Sequence, residues 1–307
     1  MPIHLLVMTI DPAAPRAEPF LVRLHQLLKS GEELPTLPTV VFEVQALLEG
    51  DRATTHAVAE LLERDPALAS RLLRAANAAA AMGRGGPVTS IAPAIQRLGL
   101  NAVWGLCLVA SVVDAFRKGS GAFEHEKFWQ HSTAVGTVAR ALWRELPLPE
   151  DGTPDELYVA GLLHDAGLLV LDQFFPDDLS RVAAVRAEHA PIMGAEEALL
   201  GIDHGEVGGL LLGRWGLPSA IVDPVAFHHR ASGAPRERQA AARCVMVAEL
   251  LCMGAGAGLD HEGAPSGDPT EELLALGFAP DQIDPLVLML HGLAQEAAGT
   301  GSLLAAA

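Results

Sequence analysis

Along most of this chain apolar residues recur at helical spacing, and no stretch alternates apolar with polar in the manner of a strand. Side chains three and four apart share one face of a helix, so the pattern predicts a succession of amphipathic helices. The first runs over Phe20–Lys29 and stops at Gly31; the next, over Thr39–Leu48, follows the proline-extended segment Leu34-Pro35-Thr36-Leu37-Pro38. Asp65-Pro66 reads as an N-cap with proline at the first helical position, opening a helix through Leu68, Leu72, Leu73 and Ala76. A turn at Gly83–Pro87 leads to a short helix capped by Ser90 and ended by Gly99, then to the nearly uniform apolar run Leu100–Phe116.

Lys118–Gly121 is the clearest internal break, polar and glycine-bearing. After it the period predicts a helix over Glu124–Leu146, a loop at Pro147–Pro154, and a helix from Asp155 that carries His164 and Asp165. Further helices are expected at Asp177–His189, Asp203–Trp215, Pro218–His229 and Glu237–Met253. A loop at Gly254–Pro269 and helices near Thr270–Leu276 and Asp281–Ala297 close the chain. The expected organisation is a flexible leader over 1–18, an N-terminal helical lobe over 19–119 and a second lobe with a C-terminal helical extension over 122–299.

Composition supports the same class. Half of the residues are hydrophobic but only 5% are aromatic, so the core is built from Ala, Leu and Val, and the fold expected is all-α. The formal charge of −17 disfavours general nucleic-acid binding and anionic membrane surfaces. Cys107, Cys244 and Cys252 lie in apolar helical runs and read as buried free thiols of a reducing cytoplasm. The opening apolar run has no basic flank or cleavage site, and no stretch reads as a transmembrane helix, so a cytoplasmic location is expected.

The chemistry concentrates in Gly161-Leu162-Leu163-His164-Asp165-Ala166-Gly167, where an imidazole and a carboxylate sit among apolar and small residues. Such groups are costly to bury without partners, and a divalent metal would partner both. A His-Asp dipeptide is a weak signal alone. His131, His204, the pair His228-His229 and Glu249 supply further ligand types at intervals through the second lobe. Taken singly, each also reads blandly: the lone histidines as hydrogen-bonded helix residues, Glu249 as a solvated acid, His228-His229 as a helix C-terminal cap. Gly208, after His204, would permit close backbone packing.

The order His131, His164-Asp165, His204, His228-His229, Glu249 resembles the ligand order of HD-superfamily metal-dependent phosphohydrolases. The wider sequence is identified as a member of the HDOD family by Leu34–Pro38, Glu63–Leu68, Arg71–Asn77, Ser90-Ile91, Ala94-Ile95, Leu98-Gly99, Phe128–Ser132, Gly161–Asp165, Asp203–Gly208 and Arg214–Pro218. The resemblance implies an N-terminal helical bundle packed on an HD-like helical lobe, in a bacterial signalling or regulatory module. It also implies one or two divalent ions (Fe, Mn or Zn). His131, His164, Asp165 and Glu249 would hold the first, and Asp165 would bridge to a second held by His204 and His228 or His229.

Three departures weigh on catalysis. Leu168 stands where catalytic relatives often carry lysine, Glu249 where the last ligand is usually aspartate, and Arg230-Ala231-Ser232-Gly233 where cyclic-dinucleotide phosphodiesterases carry Gly-Tyr-Pro. The favoured reading is a regulatory module acting on a signalling protein partner, with a retained metal site and little turnover. Arg71, Arg74 and Asn77 are candidates for its contact surface. The alternative is a phosphohydrolase acting on a nucleotide or other phosphate ester through Asp165, with Arg230, Arg71 or Arg74 on the phosphate. A scaffold with no ligand is the third.

Overall fold

The computed structural model describes residues 19–30, 34–50, 53–81, 86–116, 124–147, 152–189, 192–259 and 268–300. The leader 1–18, the break Lys118–Gly121, and parts of the expected loops Gly83–Pro87, Pro147–Pro154 and Gly254–Pro269 lie outside the described residues. Among those described, the chain is all helical, with no strand. The N-terminal helices are α1 (Phe20–Ser30), α2 (Thr39–Glu49), α3 (Thr55–Leu62), α4 (Pro66–Ala81), α5 (Ile91–Leu98) and α6 (Leu100–Ala115). The remainder comprises α7 (His125–Glu145), α8 (Pro154–Leu163), α9 (Ala166–Phe174), α10 (Pro176–His189), α11 (Ile192–Leu200), α12 (His204–Arg214), α13 (Ser219–Ala226), α14 (Gln239–Gly254), α15 (Pro269–Ala275) and α16 (Pro280–Thr300).

Local chemistry sets the helix ends. Asp65 Oδ1 accepts from the backbone N–H groups of Ala67 and Leu68, as an N-cap should. Thr153 with Glu156, and Asp203 with Glu206, form reciprocal capping boxes at the starts of α8 and α12. Gly99, at φ +90°, turns α5 into α6 through 108°, a backbone state that side chains larger than glycine's resist. Two helices were not anticipated from the period, α3 and α11; both are short, and a periodic signal needs length to stand out.

The greatest departure concerns the His164-Asp165 pair. It does not lie inside a helix: α8 ends at Leu163, the pair forms a turn, and α9 begins at Ala166. Likewise α13 ends at Ala226, leaving His228 and His229 in the turn beyond it. The combined run Pro154–Phe174 is long and apolar enough to cross a membrane, contrary to the expectation that no stretch would be. Its residues are instead mostly buried inside the protein, packed by α7, α12 and α13.

One continuous apolar core runs from Phe20 to Ala297. Phe20 meets the edge of Phe175 at 4.9 Å and Arg23 pairs with Asp178 at 2.8 Å, so α1 is docked on α9 and α10. Trp215 Nε1 donates to Pro35 O at 3.0 Å. Arg71 donates to Ala110 O and pairs with Asp114, while Asn77 bonds both the N–H and C=O of Val88. These two side chains of the candidate contact surface therefore hold neighbouring elements together; Arg74 is exposed. Cys107, Cys244 and Cys252 are buried free thiols, and burial pushes the Cys107 thiol up to about 12.

Helices α7 and α8 cross at glycine on glycine. A Cβ on Gly161 would fall 2.6 Å from Gly136 Cα, and one on Gly136 would fall 2.7 Å from Tyr158 O, distances no real Cβ tolerates. Close packing of this kind cannot absorb a methyl group without backbone movement. We expect Gly161→Ala to cost about 1–3 kcal/mol, lowering Tm by several degrees in thermal denaturation.

Candidate metal centre

Each ligand candidate is delivered by a different structural device. His131 projects from the middle of α7, and the Gly136–Gly161 crossing brings it against the α8–α9 turn that carries His164 and Asp165. His204 is the first residue of α12, placed there by the Asp203 cap. Gly167 and Gly208 let α9 and α12 touch backbone to backbone, since a Cβ on Gly167 would fall on His204 O and one on Gly208 only 3.1 Å from Gly167 N. His228 and His229 follow α13, with the His228 ring laid over Gly205, and Glu249 comes from α14.

The structure brings all seven expected residues together. His131 Nε2 lies 3.3 Å from His164 Nε2. Asp165 Oδ2 lies 3.1 Å from His164 Nε2 and 3.8 Å from His131 Nε2. Its other oxygen, Oδ1, lies 3.1 Å from His204 Nε2 and 3.9 Å from His228 Nε2. His229 Nε2 is 2.9 Å from His204 Nε2, and its Nδ1 is 3.9 Å from Glu249 Oε2. Three overlapping triplets could hold an ion: His131, His164 and Asp165; His204, His228 and His229; His164, His228 and Glu249. Glu249 thus closes with His164 and His228.

The hydrogen bonds decide which nitrogen each ring offers. His131 Nδ1 meets Ala257 O at 2.7 Å, His164 Nδ1 meets Gly161 O at 2.8 Å, and His228 Nδ1 meets Val225 O at 2.7 Å. A carbonyl only accepts, so in each ring Nδ1 carries the proton. Gly161 and Val225 belong to the last turns of α8 and α13, where carbonyls lack helical partners. His228 is therefore a C-terminal cap and an inward-facing ring at once. His204 Nδ1 faces Glu196 Oε2 at 2.8 Å, a residue that spacing did not single out.

With Nδ1 protonated, the neutral rings turn lone pairs on Nε2 toward the oxygens of Asp165. Asp165 Oδ1 and Oδ2 and His228 Nε2 are buried with no hydrogen-bond partner. Such a cage of acceptors demands positive charge. Ligands about 2.1 Å from one ion lie about 3.0–3.4 Å apart in octahedral or tetrahedral geometry, a range that the contacts of Asp165 with His164 and His204 meet and those with His131 and His228 exceed. The donor set fits zinc, manganese or iron. His131, His164, Asp165, His204, His228 and Glu249 are almost wholly excluded from solvent; His229 is partly open.

The electrostatics carry the same demand. Burial penalises the charge on Asp165, yet His164 and His204 hold its carboxyl well below the usual range. At His204 burial is overcome by Glu196 and Asp165, which hold the ring well above the ordinary imidazole value, and Asp165 likewise raises His164. Burial and the neighbouring rings push His228 and His229 well down. Burial pushes Glu249 up to about 7.

Two of the expected phosphate-binding cations are already paired within the protein. Arg230 pairs with Glu197, Asp203 and Glu206 at 2.6–3.2 Å, and Arg71 is held by Ala110 and Asp114. Leu168 is fully buried core.

Comparison with known proteins matches residues 34–231 to the HDOD domain. This chain belongs to the HDOD family. A curated relative, an uncharacterized protein of Treponema pallidum (strain Nichols), is 25% identical over 207 residues, covering 67% of this chain but only 39% of that protein. Among solved structures, an HDOD domain protein of unknown function from Geobacter sulfurreducens is similar at 28% identity and TM-score 0.71, over 90% of this chain and 97% of its own. A Shewanella amazonensis SB2B protein provisionally named a phosphohydrolase is similar at 28% identity and TM-score 0.67, over 92% and 95% of the two chains. A Marinobacter aquaeolei VT8 protein provisionally named a signal transduction protein shares the fold, at 22% identity and TM-score 0.76, over 93% of this chain and 66% of that one.

If the cage takes up a cation, the loaded protein resists unfolding more than the stripped one. An ion present at 100 times its Kd adds about 2.7 kcal/mol. Calorimetry of the untagged HDOD protein with and without a chelator is expected to show a Tm several degrees lower after stripping, with no such difference in Asp165→Ala.

Proposed function

We propose that this HDOD protein is a metal-loaded regulatory module that acts through contacts with a signalling protein partner and turns over phosphate esters poorly. The observation that carries this reading is a ligand cage that is almost wholly buried, with only His229 partly open. The ligands are buried, the lysine position is the core residue Leu168, and the nearest candidate cation, Arg230, is matched by three carboxylates. Membership of the HDOD family, which the sequence resemblance associates with signalling and regulation, supports this reading. The ions would neutralise Asp165 and tie together α7, the α8–α9 turn, α12, the turn after α13 and α14, so that loading sets the packing of the surface offered to a partner.

The alternative is a metal-dependent phosphohydrolase. It is favoured by one feature, the two oxygens of Asp165 facing separate pairs of imidazoles, an arrangement suited to two ions sharing a carboxylate. Bound divalent metal supplies acidified water and polarises a phosphoryl oxygen. The chain's own part would be to orient Asp165 and the imidazoles and to exclude bulk water. Against it, Leu168 takes the lysine position and Arg230 is already paired with three carboxylates, and a lost cation at a transferring phosphoryl group weakens transition-state stabilisation by several kcal/mol.

A panel of phosphomonoesters, phosphodiesters and nucleotides, with Mn²⁺, Fe²⁺ or Zn²⁺ supplied, separates the two. We expect turnover near background, with metal bound in the wild type and lost in Asp165→Ala. Robust hydrolysis abolished by that substitution would make the protein an enzyme.

A further inference from the structure

Three of the four inward-facing imidazoles rest their Nδ1 protons on backbone carbonyls; His204 alone among them rests on a carboxylate. Glu196 reaches it from α11. One oxygen, Oε2, accepts from both the His204 ring at 2.8 Å and the His204 backbone N–H at 2.9 Å. Glu196 is fully buried, and its other oxygen has no hydrogen-bond partner. A carboxylate taken so far out of water for two bonds to one residue is expensive unless the negative charge has a use.

We infer that Glu196 is the positioning residue of the second ion: it fixes His204 with Nε2 toward Asp165 and makes that ring a stronger donor than its neighbours. This rests on the two-ion reading above. A carboxylate behind a ligating histidine sets its tautomer and orientation and raises its basicity, and losing such a partner costs about 10–100-fold in metal affinity. The asymmetry gives the two halves of the cage different dependence. The His131–His164 half rests on main-chain carbonyls that no side-chain substitution removes. In the other half His228 also rests on a carbonyl, and only His204 rests on a replaceable side chain.

The test uses the full chain, stripped of metal and titrated with Co²⁺, following the visible ligand-field bands and the heat of binding. Wild type is expected to take up two ions, and His204→Ala identifies the one held by that ring. Glu196→Gln keeps an oxygen able to accept both bonds but removes the charge; it should weaken that ion about 10-fold and leave the other unchanged. Glu196→Ala should weaken the same ion about 100-fold and shift its bands.

If Glu196 merely caps the His204 N–H, Glu196→Ala will lower the Tm of the stripped protein while both variants bind both ions as wild type does, and the inference fails. It fails equally if both ions weaken in parallel, the mark of general loosening. Should wild type bind fewer than two ions, the two-ion reading falls first, and this inference with it.

Discussion

Four buried imidazoles give their Nδ1 protons to acceptors outside the cage and turn their Nε2 atoms on the oxygens of a single carboxylate. Everything else in the second half of the chain answers to the positive charge this arrangement requires. Lone pairs about 3 Å apart in a buried interior repel one another unless a positive charge lies between them. Asp165 and Glu196 hold His164 and His204 above the ordinary imidazole range, while burial and the neighbouring rings push His228 and His229 below it. A divalent ion supplies the positive charge, satisfying several acceptors at once.

The backbone is shaped to allow this convergence. Ring nitrogens from four elements, and a carboxylate from a fifth, meet only if the helices behind them approach more closely than ordinary side chains permit. Glycine provides that approach at Gly136 against Gly161 and at Gly167 against Gly208. The helix ends provide the rest. Because α8 and α13 stop just before His164 and His228, their last-turn carbonyls are free to take the Nδ1 protons, and the rings are oriented without any dedicated side chain. At His164 and His228, cap and cage are therefore opposite edges of the same ring.

How much of this could be read in the sequence differs from element to element. The long helices could, because a period of 3.6 over many residues is a strong signal, and Asp65-Pro66 and Asp203 mark their starts by recognised cap chemistry. The break at His164-Asp165 could not: apolar residues run through it unbroken, and no proline marks it. The seven cage residues were named through family order, since spacing alone leaves each with an ordinary helical role. Glu196 was passed over because it supports a ligand instead of resembling one. Its signal was present all the same, an acid four residues before Leu200 on the face that α11 buries. Arg71 and Asn77 were candidates for an interface because a polar residue on a helix gives no sign of which neighbour it holds.

The surroundings of the cage argue about its use more directly than its ligands do. Ligand geometry of this kind serves catalysis and structure equally, so the deciding matter is whether an anionic substrate could come near. Glu197, Asp203 and Glu206 cluster with Arg230, leaving that corner net negative, and the whole chain carries −17. A field of that sign lowers the local concentration of phosphate esters and slows their approach. Burial of the ligands adds a steric barrier to the electrostatic one, and only His229 lies partly open. Small cations meet neither obstacle: the field draws them in, and the buried acceptors reward entry. The same charge distribution that fits the centre to take up metal therefore works against delivery of a phosphorylated substrate to it.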